Sequence, residues 1–146
     1  MTKRAFFAYS LEGEPLDKLR QRFSFIEQGA KKGDWEIFAH IRDVQNWTLE
    51  PQNMGDVLDL CFREIHKSDA FIADFTVFKN KERTGIKIEA GYAKALNKKI
   101  ISIVHNEDRP RMLTELADFE VCYCDVNELD EKIFKALSNL TSTTEQ

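Results

Sequence analysis

Glu89 is the residue of this 146-residue chain whose type and surroundings best suit chemistry. It lies within residues 84–91, TGIKIEAG, which we interpret as the first turns of a helix. The apolar run Ala70–Ala73 earlier in the chain has the composition of a strand. Because open α/β sheets bind ligands beyond the carboxyl ends of their strands, a carboxylate at this place can act on a substrate. The alternative is an exposed helical glutamate that only contacts solvent.

The elements that would position Glu89 alternate between strand and helix along the chain. Strand-like runs are predicted at 5–10, 35–41, 69–75, 100–104 and 121–124. Helices are predicted from Pro15 onwards, at 54–67, from residue 84 to about 97, at 109–117 and at 126–140. This alternation indicates βαβ units, so we expect one α/β domain over residues 1–140, with 141–146 as a disordered polar tail. The expected fold is a three-layer, doubly wound, flavodoxin-like or Rossmann-like parallel sheet of order 2-1-3-4-5.

Composition excludes several classes of protein. The formal net charge is −4, and no block of Lys and Arg marks a nucleic-acid site. No apolar stretch is long enough for a membrane span, and the N-terminus lacks the features of a signal peptide. We therefore expect a soluble, cytoplasmic protein without nucleic-acid or membrane partners. The three cysteines, Cys61, Cys122 and Cys124, are expected to be buried structural thiols, since no suitably spaced metal-ligand set accompanies them.

The expected strand order brings several polar residues to one crevice between the first and third strands. The loops after Ser10 and Phe75 and the loop before the Glu89 helix would converge there. Asp74 could then contact a sugar hydroxyl or order the site. His40 could contact a base or be an ordinary loop histidine. Trp47 could be a lid that stacks on a base or a plug over the core.

Several segments together resemble the nucleoside 2-deoxyribosyltransferase superfamily, and in particular its 2'-deoxynucleoside 5'-monophosphate N-glycosidase branch. The resemblance rests on residues 68–76, 85–91 and 98–101, on AYSLEG at 8–13, on AHIRD at 39–43 and on RMLT at 111–114. It implies that Glu89 attacks C1' of a deoxyribose and forms a covalent glycosyl-enzyme intermediate. It also implies a homodimer or a dimer-based oligomer, and no metal or redox cofactor. The substrate-binding residues that it implies, together with those reasoned from position, are Tyr9, Ser10, Gly13, His40, Asp43, Asp74, Arg83, Gly85 and Thr114.

The chain departs from that pattern at positions near the expected site. Cys61 replaces an Asp or Asn, Phe6 replaces a tyrosine whose hydroxyl Tyr9 could supply instead, and Glu12 replaces an Arg. In the opposite direction, Arg83 replaces a phosphate-binding Ser. An arginine beside the free amides of a helix N-terminus suits an anion, although a solvated charged loop is the alternative.

Three functions follow as hypotheses. The first is cleavage or transfer at the N-glycosidic bond of a 2'-deoxynucleoside or its 5'-monophosphate. The second is a nucleotide-binding sensor or effector module with little or no catalysis, which the departures at Cys61 and Phe6 motivate. The third is a glycosidase for NAD or a nucleotide second messenger.

Overall fold

A computed structural model describes residues 2–76, 84–106 and 115–144 of the chain. Five parallel strands form one sheet in the order β2-β1-β3-β4-β5, which confirms the predicted order. The strands are β1 (Lys3–Ala8), β2 (Trp35–Phe38), β3 (Ala70–Asp74), β4 (Lys99–His105) and β5 (Phe119–Tyr123). The chain leaves β1 towards β2 and leaves β3 towards β4 on the opposite side. The carboxyl ends of β1 and β3 therefore border the crevice where such folds bind ligands.

The helices cover both faces of this sheet. They are α1 (Leu16–Lys32), α2 (His40–Asp43), α3 (Met54–Lys67), α4 (Thr84–Ala95) and α5 (Leu129–Thr144), with a 3-10 turn at Val126–Glu128 before α5. Most boundaries differ from the prediction by one to four residues, and two of the differences change the assignment of a segment. Ile41 belongs to α2 rather than to β2, because the Asp43 carboxylate accepts a hydrogen bond from the Ala39 N–H at 2.8 Å and closes a helical turn. Helix α5 continues to Thr144, so residues 141–144 are helical where a disordered tail was expected.

Alternation along the strands divides the core into two layers. Phe7 and Ile72 point towards α1 and α5, whereas Phe6 and Phe71 point towards α3 and α4. Both layers contain fully buried aromatic or branched side chains, as expected for a parallel sheet that is covered on both faces. The Glu89 helix, α4, lies on the second face.

One of the predicted helices lies mostly outside the described ranges, and the prediction for the cysteines is corrected by the structure. The described residues contain no helix that is both long and apolar enough to cross a membrane. Most of the helix predicted at 109–117 falls outside the described residues. Of the cysteines, only Cys61 is buried; Cys122 is partly exposed and Cys124 is exposed, because Cys124 follows the end of β5.

Candidate functional site

A cavity of about 630 Å³ opens at the carboxyl ends of β1 and β2 on the α3 and α4 face, and Glu89 lines it. Its floor is the end of β1, Phe6–Ala8, and one wall is the loop that follows, Tyr9–Glu12. The volume suits a ligand of nucleoside size. A cavity therefore lies beside Glu89, but its described lining includes no residue of β3 and neither Phe75 nor Thr76, whereas the crevice was predicted between the first and third strands.

The lining of this cavity combines polar and apolar side chains. Ser10 and Glu12 are among the polar ones, as are Glu50 and Gln52 from the loop before α3. The apolar ones include residues from that loop and from α3 itself: Leu49, Met54, Val57 and Leu58. His40 and Gln45 reach the cavity from the segment after β2, and Gly85 from the first turn of α4. A ligand with both polar groups and a planar apolar part would match this lining.

Glu89 lies against Cys61, which faces it from α3. The Cys61 thiol donates a hydrogen bond to the Glu89 carboxylate. Burial raises the pKa of Glu89 to about 7, although the thiol hydrogen bond opposes this rise. The N-terminus of a helix favours ionisation of a nearby carboxylate, but for Glu89 the effect of burial is larger. Glu89 is the sixth residue of α4, beyond the first turn where the helix dipole acts most strongly.

The same surroundings keep Cys61 and Tyr9 protonated. Burial raises the pKa of the Cys61 thiol, and the Glu89 charge and hydrogen bond raise it further. Burial also raises the pKa of the Tyr9 hydroxyl, with further contributions from Cys61, Glu89 and Asp43, while a hydrogen bond with the Ile41 backbone lowers it. Both side chains therefore remain proton donors beside Glu89 at neutral pH. For Tyr9, this agrees with the hydroxyl expected to replace the one missing at Phe6.

Four more of the predicted site residues can be placed. Ser10, His40 and Gly85 line the cavity. Gly13 has a positive φ of 92° in the loop between β1 and α1, which suits glycine, but it does not line the cavity. Arg83 and Thr114 lie outside the described residues, so the proposed anion clamp stays a prediction.

The two predicted aspartates face other partners. Asp43 closes the α2 turn and pairs with Arg42, at 3.0 Å between Oδ1 and Nε. Asp74 is buried on the other face of the sheet, where Oδ2 accepts from Arg22 Nε at 2.8 Å and Oδ1 accepts from the Thr76 hydroxyl at 2.6 Å. Neither lines the cavity. The sequence-based placement of Asp74 missed the alternation of the strand, which puts Asp74 on the same face as Ile72.

The Trp47 side chain packs against the core and does not line the cavity. Its ring packs edge-on against Phe23 of α1 at 5.8 Å between centroids, and the Arg20 guanidinium lies over it. Of the two alternatives, the structure has the plug against the core rather than the lid.

Sequence reasoning missed Gln45 and the apolar residues around Met54. Gln45 was part of a segment interpreted only as a loop, and nothing in its spacing marks it. Met54 opens the predicted helix at 54–67, and a methionine at a helix start carries no signal of its own.

Solved structures share this fold. BlsM, known from a solution structure, has a TM-score of 0.76 at 22% identity, with 99% of this chain and 95% of that chain covered. The CMP N-glycosidase BcmB of Clostridium botulinum has a TM-score of 0.61 at 20% identity, covering 94% of this chain and 99% of that one. A 2-deoxyribosyltransferase from Bacillus psychrosaccharolyticus has a TM-score of 0.64 at 18% identity, covering 92% and 95%. No family model and no curated protein matches the chain. At these sequence identities, the similarity shows that the proteins share a fold.

Proposed function

We propose that this protein cleaves the N-glycosidic bond of a 2'-deoxynucleoside or its 5'-monophosphate, with Glu89 as the nucleophile. The observation that carries the proposal is the position of Glu89, a largely buried carboxylate with a pKa of about 7, on the wall of a cavity of about 630 Å³. The fold shared with a CMP N-glycosidase and a 2-deoxyribosyltransferase agrees with this chemistry.

The reaction would proceed in two steps. In the first, a Glu89 carboxylate oxygen bonds to C1' as the bond from C1' to the base nitrogen breaks, and the bonding electron pair leaves with the base, which takes up a proton. In the second, water attacks C1' and loses a proton, which balances the one taken up by the base; this releases 2-deoxyribose or its 5-phosphate and returns the carboxylate. If a second base attacks C1' instead, the same intermediate gives a transferase.

The environment of Glu89 suits both roles of the carboxylate, which are to attack C1' and to stabilise the positive charge that develops there. A pKa near the working pH keeps a substantial fraction ionised and able to attack. The buried setting strengthens the attraction between the carboxylate and the positive charge that develops at C1'. The Cys61 thiol and the nearby Tyr9 hydroxyl can orient the carboxylate without removing its charge.

The test is a panel of 2'-deoxynucleosides, their 5'-monophosphates and NAD, with released bases resolved by chromatography. We expect base release from at least one deoxynucleoside or deoxynucleotide, and a loss of roughly 1,000-fold or more in Glu89→Gln. Asp59→Asn is the matched control, because Asp59 is an exposed carboxylate of α3 that does not line the cavity.

Other outcomes separate the remaining hypotheses. Release from NAD alone, also lost in Glu89→Gln, would favour the third hypothesis. Tight binding of nucleotides without release would favour a sensor module. Equal release by wild type and Glu89→Gln would contradict Glu89 as the nucleophile.

A further inference from the structure

His40 is fixed in one tautomer by a chain of hydrogen bonds. Its Nδ1 lies 2.9 Å from Oε1 of Gln45, and Nε2 of Gln45 lies 3.2 Å from the carbonyl oxygen of Thr48. A carbonyl oxygen only accepts, so the Gln45 amide must direct its NH2 group at Thr48. Its oxygen must then face His40. Since that oxygen also only accepts, Nδ1 of His40 carries the proton.

This tautomer leaves the other ring nitrogen of His40 as an acceptor. A neutral imidazole protonated at Nδ1 has a lone pair at Nε2. His40 is only 6% exposed and lines the cavity. The Thr48 hydroxyl also donates to the backbone carbonyl oxygen of Gln45 at 2.7 Å, which closes the Gln45–Thr48 turn. The loop thus leaves Nε2 as an acceptor on a side chain that lines the cavity.

His40 lines the cavity together with several apolar side chains. Leu49 directly follows Thr48, and Met54 and Val57 come from the adjoining start of α3. With C1' at Glu89, the proposed pose places the planar base among these apolar side chains, which suit its faces. The acceptor nitrogen of His40 is then available to the edge of the base.

We propose that His40 is a specificity-determining residue that selects bases bearing an exocyclic amino group, through a hydrogen bond from that group to Nε2. This inference rests on the proposed function, because it assigns the base end of the same site. Cytosine and adenine offer an amino donor, whereas uracil and hypoxanthine offer a carbonyl acceptor at the same position. Two acceptors facing each other leave both without a partner, so the oxo bases are disfavoured.

The experiment compares 2'-deoxycytidine with 2'-deoxyuridine and 2'-deoxyadenosine with 2'-deoxyinosine. In the wild type we expect kcat/KM for the amino member of each pair to exceed that of the oxo member by about tenfold or more. His40→Phe keeps a planar ring but loses Nε2, and should reduce this ratio to near one. If His40 only stacks on the base, the ratio would survive in His40→Phe, which would overturn the proposal.

Gln45→Glu should change Nε2 of His40 from a hydrogen-bond acceptor to a donor. A carboxylate beside Nδ1 favours the imidazolium, whose Nε2–H is a donor, so the preference should shift towards the oxo members. Gln52→Glu is the matched control. It adds the same charge to the same cavity, but the Gln52 amide bonds the carbonyls of Glu50 and Pro51, both at 3.4 Å, rather than His40. Gln52→Glu should affect both members of a pair alike and keep their ratio.

Equilibrium binding of the same pairs to Glu89→Gln, by calorimetry, separates this proposal from the proposed function. If the wild type cleaves nothing but Glu89→Gln binds the amino members about tenfold more tightly, the proposed function fails and the selection by His40 stands. Equal cleavage and equal binding of both members would overturn the selection and leave the proposed function intact. An equal loss for both members in His40→Phe would also overturn it, because His40 would then not discriminate between the two bases. Absence of any binding would overturn both.

Discussion

Carboxylates on the two faces of the sheet have opposite surroundings: one faces a neutral group, and two others face a cation. On the α3 and α4 face, the described partner of Glu89 is the neutral thiol of Cys61, and burial raises the pKa of Glu89 to about 7. On the α1 and α5 face, Asp74 and Glu14 share the guanidinium of Arg22. The carboxyl edge of one sheet therefore carries both a carboxylate that is costly to ionise and a pair of carboxylates held by a cation.

The ion-paired side is a closed network. Arg22 Nη1 donates to Glu14 at 3.0 Å, its Nε donates to Asp74 at 2.8 Å, and the Thr76 hydroxyl bonds both Asp74 and the Tyr123 hydroxyl, the latter at 2.8 Å. Burial lowers the pKa of Arg22, but the two carboxylates more than offset this, so the pKa lies above its ordinary value. Such a network suits a structural role, because its charges are already compensated. The comparison indicates that the ease of ionising a carboxylate here depends on what faces it rather than on its position at the sheet edge.

The largest effect should come from removing the cation of the network. Arg22→Met leaves Glu14 and Asp74 buried without their partner, so we expect the free energy of unfolding to fall by about 3–5 kcal/mol. Urea unfolding followed by circular dichroism measures this. Lys135→Met, which breaks an exposed pair with Glu131 at 3.9 Å, should cost less than about 1 kcal/mol.

A triple variant tests the reason for that loss. Adding Glu14→Gln and Asp74→Asn to Arg22→Met removes the uncompensated charges and should restore much of the stability. If the triple variant is as unstable as Arg22→Met alone, packing of the arginine stem rather than charge would explain the loss, and the contrast between the two faces would be weakened.

On the cavity face, removing the charge should stabilise the protein. The pKa of Glu89 is about 7 in the folded chain against an ordinary value of 4.5, so the unfolded chain ionises first as pH rises. The free energy of unfolding of the wild type therefore decreases as pH rises from 4.5 to about 7, and it stays lower above pH 7. Glu89→Gln escapes this loss, and we expect it to be more stable than wild type by up to about 3 kcal/mol at pH 8.

The gain should vanish near pH 4, where Glu89 is protonated in both states. Urea unfolding of both proteins at pH 4, 6 and 8 measures the trend, with Asp59→Asn as the exposed control. A gain of equal size at pH 4 and pH 8 would show that the effect does not come from ionisation.

The layout of the sheet was predictable from the sequence because it depends on repeated, local signals. Alternating strand and helix patterns, together with right-handed crossovers, reduced the possible topologies to a few, and the one predicted, β2-β1-β3-β4-β5, is the order observed. The position of Glu89 followed from the same logic, since a residue near the start of a helix after a central strand must lie near the crevice. The helix boundaries at Met54 and Lys67 were also predicted correctly.

Side-chain contacts between residues far apart in the sequence were not predictable in the same way. Arg22 lies between Leu19, Phe23 and Ile26 on the buried face of α1, and a charged residue on an apolar face is a signal that could have been used. Its partner Asp74 is 52 residues away, and only the packing of α1 on β3 shows that they meet. The tautomer of His40 depends on a single loop conformation, for which composition gives no indication.

The smallest effect concerns the thiol that faces Glu89, and it tests the cavity side of the comparison directly. If ionised Glu89 attacks the substrate, base release should rise with pH with a midpoint near 7. The Cys61 hydrogen bond lowers the pKa of Glu89, so Cys61→Val should move this midpoint to higher pH. Loss of one such bond, about 0.5–1.5 kcal/mol, should slow release at pH 7 by roughly two- to tenfold.

Cys61→Ser keeps a donor of similar size and should leave the midpoint at or below the wild-type value. The pH profile discriminates between explanations, because a cavity left in the core by Cys61→Val would lower the rate at every pH without moving the midpoint. If Cys61→Val and Cys61→Ser give the same midpoint as the wild type, the thiol does not tune the carboxylate. Burial alone would then distinguish Glu89 from the carboxylates that Arg22 holds on the other face.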